Sequence, residues 1–139
     1  MPTVLVLVGV AVATVTSCSD AGDGELVLFA ALGPGGGQVR YQAAGVELTA
    51  TQGYDALGLS APGAVSGAPE LPEPAAGVRR FGFVLAGCQE TSARLSIAGG
   101  AASAELDEDG PEVDCARAEW FLAVFDVPAD QVPEGTRVS

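Results

Sequence analysis

The stretch RRFGFVLAG, residues 79–87, decides the fold class. Phe81, Phe83 and Leu85 occupy alternate positions, and Val84 stands with small residues on the opposite set. This alternation predicts a β-strand, because successive side chains of a strand point to opposite faces of a sheet. Two phenylalanines on one face indicate that this face lies in a core.

The segments that follow have the same character. SARLSIAG (92–99) alternates apolar and polar residues, and the Gly99-Gly100 pair predicts a hairpin turn into AASAEL (101–106). AEWFLAVFDV (118–127) carries bulky residues on both faces, which predicts a central strand. A buried helix is the alternative for this last segment, but its aromatic and β-branched content favours a strand.

The strand pattern is weaker upstream. ELVLFAAL (25–32) is a compact apolar run that predicts a strand before the turn-rich GPGGG. Residues 61–77 hold four prolines, which indicates a long surface loop or a linker. A loop within one fold is the preferred interpretation, because too little chain precedes it for an independent domain. Three further strand candidates are QVRYQ, VELTA and DALGLS (38–42, 46–50 and 55–60), and PADQVPEG (128–135) predicts a turn before a short TRVS tail.

Seven or eight short strands separated by Gly and Pro predict an all-β fold. We expect an antiparallel β-sandwich with immunoglobulin-like layers, formed as a single domain by residues 25–139. The Cys–Trp–Cys order of true immunoglobulin domains is missing, because Trp120 follows both Cys88 and Cys115. The term therefore describes the layers and not membership of that family.

The chain begins with an apolar run. Residues 3–16 contain no charge, and a run of this length is shorter than the ~20 residues that span a bilayer. It matches the apolar core of a secretory signal, so residues 1–17 are predicted to be a signal peptide.

The end of this region, Val15-Thr16-Ser17-Cys18, resembles the lipobox of bacterial lipoproteins. The resemblance implies that Cys18 becomes the first residue of the mature protein and carries the lipid, with residues 18–24 as lipid attachment site and flexible tether. It also implies an extracytoplasmic protein anchored to the outer face of the cell membrane. Ordinary secretion, with Cys18 unmodified, is the alternative. The whole pattern is similar to small exported lipoproteins of high-GC Gram-positive bacteria, a likeness that implies no catalytic residues.

Three cysteines are an odd number for an exported protein. If Cys18 is lipidated, Cys88 and Cys115 remain as one pair, and an oxidising compartment favours a disulfide between them. A zinc thiolate site is the alternative, which two cysteines without any histidine disfavour.

Composition excludes several function classes. The sequence has no histidine and no lysine, so histidine-dependent triads and Schiff-base chemistry are excluded. Its net charge of −12 opposes binding to nucleic acid, and no nucleotide-binding motif is present. We therefore expect neither an enzyme nor a cofactor. The expected function is a non-enzymatic module that binds a protein of the cell envelope.

One acidic segment, AELDEDGPEVDCARAE (104–119), offers an alternative function. Asp107, Asp109 and Asp114 are weak candidate ligands for calcium in an acidic loop over residues 105–114. The segment fails as an EF-hand, because Ala116 stands where the bidentate Glu is required. A solvated acidic turn is the simpler interpretation, and no metal site is predicted.

The adjacent Arg79 and Arg80 also have two interpretations, one structural and one functional. A solvated strand end is the preferred interpretation, with anion docking as the alternative.

Overall fold

The segment with alternating phenylalanines forms the middle of a sheet. The computed structural model describes residues 24–33, 41–49, 54–59, 71, 73–107 and 115–139. In these ranges the chain forms seven strands and two short 3-10 helices, and no α-helix, so the all-β prediction is confirmed. The strands are β1 (Glu25–Gly33), β2 (Ala44–Leu48), β3 (Val78–Gly87), β4 (Ala93–Ala98), β5 (Ala101–Leu106), β6 (Glu119–Pro128) and β7 (Arg137–Val138).

The strands form two sheets. One sheet has four strands in the order β1-β6-β3-β2, and every neighbouring pair in it is antiparallel. The other sheet has the order β4-β5-β7 and begins with the hairpin that turns at Gly99 and Gly100. The predicted hairpin is thus confirmed.

A continuous apolar core joins the two sheets. Phe81, Phe83 and Phe125 from the four-stranded sheet are at most 1% exposed. They belong to one buried cluster with Leu95 and Ala102 from the other sheet. The rings of Phe83 and Phe125 meet edge to face with centroids 6.0 Å apart, which adds a specific contact to the burial of area. The two-layer sandwich follows from this shared core.

The four-stranded sheet is apolar on its outer face as well. Val84, Leu122 and Val124 point away from the second sheet and are almost fully buried, in a cluster with Leu57 and Leu59. The prediction that residues 118–127 form a central strand is confirmed, because β6 lies between β1 and β3 and is covered on both sides.

One sequence prediction for a short segment was wrong, and one segment without a predicted structure forms a strand. DALGLS is not a strand: the chain makes a 3-10 helix over Tyr54–Leu57, and Leu57 and Leu59 then pack on the outer face of the large sheet. The short TRVS tail contains β7, whose residues pair in parallel with β5 opposite Ala101 and Ala102. In both cases the packing of the assembled sheets determines the local conformation.

Other predicted segments fall partly or wholly outside the described residues. Tyr41 and Gln42 are described and lie in no strand, whereas the rest of QVRYQ is not among the described residues. The signal peptide, Cys18 and most of the tether also lie outside them, as does most of the loop over 61–77. Within the described ranges, no helix has the length and apolar character that a membrane span requires.

The sandwich has two distinct ends. At one end, which we call the Arg80 end, β1 begins at Glu25 and lies next to Asp126, the partner of Arg80 in the sheet register. At the other end, Gly33 lies opposite Trp120, and Gly87 lies opposite Glu119. Because Cys88 follows Gly87, we call this the disulfide end.

Candidate functional site

The disulfide joins the connection that follows β3 to the connection that precedes β6. Cys88 and Cys115 are bonded, with Cα atoms 5.8 Å apart and a sequence separation of 27 positions. Cys88 directly follows β3, and Cys115 precedes β6, which is the neighbour of β3. The bond therefore closes a loop that contains the whole β4–β5 hairpin. The prediction of a disulfide between Cys88 and Cys115 is confirmed.

A groove of about 520 Å³ opens between the two sheets at the disulfide end. Its walls come from the last residues of β3 and of β5, with additional side chains from the connection after Cys88 and from β4. Leu85 and Leu106, which both line it, are only half-buried and pack against the edge of the main core. The core of the sandwich thus reaches the surface at this point.

Carboxylates dominate the rim of the groove. Glu90 lines it and accepts a hydrogen bond from the backbone N–H of Cys88. Arg94 lies 3.7 Å from Glu105 and 3.8 Å from Asp107, measured from guanidinium nitrogen to carboxylate oxygen. The side chains of Arg94 and Glu105 are 71% and 72% exposed, so solvent screens their attraction.

The candidate cation ligands receive little support. Asp107 is described: its backbone N–H donates to the carbonyl of Ser92, and its carboxylate faces Arg94. Asp109 and Asp114 lie outside the described residues. Within the described ranges, no three His, Cys, Asp or Glu side chains form a group that could hold a metal ion.

The two adjacent arginines are engaged by carboxylates on opposite faces of the large sheet. Arg79 makes two hydrogen bonds of 2.8 Å to Glu47, and its guanidinium lies 5.5 Å from the ring centroid of Phe81. Arg80 makes two hydrogen bonds of 2.6 and 2.9 Å to Asp126. These bonds raise the pKa of both arginines, since they stabilise the charged guanidinium.

The interpretation of Arg79 and Arg80 as a solvated strand end is wrong for Arg80, whose side chain is 5% exposed. The carboxylate partners are residues that the sequence analysis did not single out. Arg80 meets Asp126 because β3 and β6 are antiparallel neighbours in this register. A pairing across 46 positions leaves no local pattern in the sequence.

A smaller cavity of about 290 Å³ lies on the outer face of the large sheet, between Val84 and the segment with Leu57 and Leu59. Tyr41 also lines this cavity and donates a hydrogen bond of 3.1 Å to the carbonyl of Leu32. The ring of Tyr41 lies 6.1 Å from that of Trp120, the single tryptophan of the sequence. The aromatic pair closes the outer apolar cluster at the disulfide end.

Of these two cavities, both lined by described residues, the groove at the disulfide end is the one that combines apolar walls with several charged side chains. Comparisons of the chain with protein families, with curated proteins and with solved structures find no match.

Proposed function

We propose that the protein is a lipid-anchored, extracytoplasmic and non-enzymatic module that binds another protein of the cell envelope. The observation that carries this proposal is the position of Cys18, at the end of an uncharged apolar run and shortly before β1 begins at Glu25. The Cys88–Cys115 disulfide supports an oxidising compartment. The lack of histidine and lysine supports a role without catalysis.

The proposed anchor and the groove would lie at opposite ends of the sandwich. The tether after Cys18 would join the sandwich at Glu25, which lies at the Arg80 end. The nine residues of β1 then lead to the disulfide end, about 25–30 Å away at ~3.3 Å per residue. The disulfide end is thus the part of the domain farther from the attachment point, and it is the end that carries the groove.

The alternative function, a calcium-binding lipoprotein that uses the acidic loop, has less support. A calcium site needs several oxygen ligands directed at one point. The described candidate, Asp107, has the guanidinium of Arg94 3.8 Å from its carboxylate. A neighbouring cation opposes the binding of a second cation, so the interaction module is the better supported function.

Fractionation of cells that produce a Cys18→Ala variant tests the anchor. We expect the wild type in the membrane fraction, labelled by an alkyne-bearing fatty acid, because several acyl chains hold a protein firmly on a bilayer. The Cys18→Ala variant should lose the label and leave the membrane fraction, whereas a Ser19→Ala control should behave as wild type. An unlabelled wild type would contradict the proposal.

Crosslinking in the native envelope tests the interaction. We expect one dominant protein neighbour to be recovered with the wild type and to be lost with the Cys18→Ala variant. Absence of any neighbour above background, with the wild type in the membrane fraction, would contradict the role as an interaction module.

A further inference from the structure

The groove at the disulfide end has an apolar floor that the described residues cover only in part. Leu85 ends the row of core residues on β3, and Leu106 ends β5. Leu85 is half-buried although Phe83, the preceding residue on the same face, is buried, and Leu106 is half-buried like Ala104 before it. An exposed apolar surface of this kind gains free energy when another apolar side chain covers it. The volume of about 520 Å³ accommodates a few side chains of a partner.

The charged side chains around this floor favour a partner segment of positive charge. Glu90 and Glu105 line the groove and Asp107 lies beside it, whereas Arg94 is the one basic residue among the described residues that line it. The whole chain carries a net charge of −12, so the long-range field has the same sign as the rim. Such a field attracts cationic groups and repels anionic ones, which disfavours nucleic acid and anionic headgroups as occupants.

The walls of the groove are held in place before any partner arrives. The Cys88–Cys115 disulfide fixes the connection between the sheets directly beside Gly87. A Cβ atom at Gly87 would lie against the side chains of Leu106 and Glu90, which shows how closely the walls approach each other there. A preformed site loses less conformational entropy on binding than a flexible one.

We propose that this groove binds a cationic segment of a partner protein, with an apolar side chain on Leu85 and Leu106 and a lysine or arginine at Glu105. The envelope setting of the partner rests on the proposed function, but the chemistry of the groove does not. The bound segment combines both features: its apolar side chain covers the leucines, and its cation replaces the screened contact of Arg94 with Glu105.

The test uses a fluorescent peptide of sequence Lys-Leu-Lys-Leu-Lys and the full-length protein in uncharged detergent micelles. Fluorescence anisotropy at low salt measures binding, with empty micelles subtracted. Glu105→Arg should weaken binding about fivefold, because it places a cation against the cation of the peptide. Arg94→Gln should strengthen binding about twofold, because it removes the competing guanidinium.

Two matched controls accompany these variants. Glu134→Arg makes the same change of net charge in an exposed turn outside the groove, and it should leave the affinity within about twofold of wild type. The peptide Lys-Ser-Lys-Ser-Lys keeps the charge and lacks the apolar side chains, and it should bind about tenfold more weakly.

Equal effects of Glu105→Arg and Glu134→Arg would show a general charge effect and overturn the proposal. Equal binding of the serine and leucine peptides would overturn it as well, since the apolar floor would then have no part. Membrane fractionation of the Cys18→Ala variant is independent of these measurements. If the wild type is not membrane-anchored but binds the peptide as expected, only the proposed function is contradicted. If it is membrane-anchored but does not bind the peptide as expected, only the proposed binding in the groove is contradicted.

Discussion

At the scale of single residues, the ion pair of Arg80 and Asp126 is the least exposed one in the described part of the chain. The two side chains are 5% and 15% exposed, and Arg80 donates two short hydrogen bonds to the carboxylate of Asp126. A buried charge that loses its partner is costly, because the interior does not solvate it as water does. We therefore expect the free energy of unfolding to fall when either residue is replaced.

Replacement of Arg80 by alanine should lower the free energy of unfolding by about 3–5 kcal/mol, since Asp126 would remain buried without its counter-charge. Urea denaturation measures this loss. Arg79→Ala is the matched control: its pair with Glu47 is 29% and 38% exposed, and we expect a loss of at most about 1 kcal/mol. Equal losses for the two variants would contradict the distinction between the pairs.

Acid pH should weaken the fold through Glu47. The hydrogen bond from Arg79 lowers the pKa of Glu47 from its ordinary value of 4.5, because the guanidinium stabilises the carboxylate. A lowered pKa in the folded state contributes stability above pH 4.5, and this contribution is lost as the pH falls through the folded-state pKa.

Urea denaturation between pH 7 and pH 3 tests the contribution of Glu47. We expect the Glu47→Gln variant to be less stable than wild type at pH 7 and to show a smaller loss on acidification. The two proteins should converge at the acid end of the range. A constant difference between them at every pH would contradict this linkage.

At the scale of elements, the two central strands carry the sandwich. β3 and β6 pair over ten positions, from Val78 opposite Pro128 to Gly87 opposite Glu119. Both strands are apolar on the two faces, one toward the second sheet and one toward the segment around Leu57. The edge strand β2 is held against β3 by close packing, and Gly45 is the residue that permits it.

Gly45→Ala should destabilise the protein by about 1–3 kcal/mol, because overpacking of a filled core forces its neighbours to move. The added Cβ would lie 2.7 Å from the Phe83 ring and 2.9 Å from Val138. At Gly82 the atoms nearest to an added Cβ are the ends of the Leu48 and Leu57 side chains, so Gly82→Ala should cost less. Thermal unfolding of both variants makes the comparison, and a larger loss for Gly82→Ala would contradict it.

At the scale of the whole molecule, the disulfide closes the loop that leaves the large sheet after β3 and returns to it at β6. The loop that it closes contains both strands of the β4–β5 hairpin, which otherwise contacts the large sheet through the shared core. A cross-link of this kind restricts the unfolded chain, and the stabilisation grows with the length of the loop.

The double variant Cys88→Ser with Cys115→Ser should have a free energy of unfolding about 3.5 kcal/mol lower than that of wild type, because the unfolded chain without the cross-link gains the conformational entropy of a loop of this length. Equilibrium urea denaturation gives the difference. Wild type with a reducing agent should match the variant, and the variant itself should not respond to the reducing agent. An unchanged unfolding midpoint in the double variant would show that the bond adds nothing to stability.

The sequence alone determined the strands that carry the core and the pairing of the cysteines. Period-two alternation is a local property of a chain, so RRFGFVLAG and SARLSIAG could be assigned without knowledge of their partners. The bulky residues on both faces of β6 likewise predicted its central place. Cys88 and Cys115 followed by elimination once Cys18 was assigned to a lipobox-like motif.

Only the tertiary structure decided which distant residues meet. The pairing of Arg80 with Asp126 depends on strand order and register, as do the parallel addition of β7 and the covering role of Leu57. The groove between Leu85 and Leu106 arises where two sheets end together. Alternation fixes the face on which a side chain lies, but the residue opposite is fixed when sheets assemble, because interactions between strands depend on register.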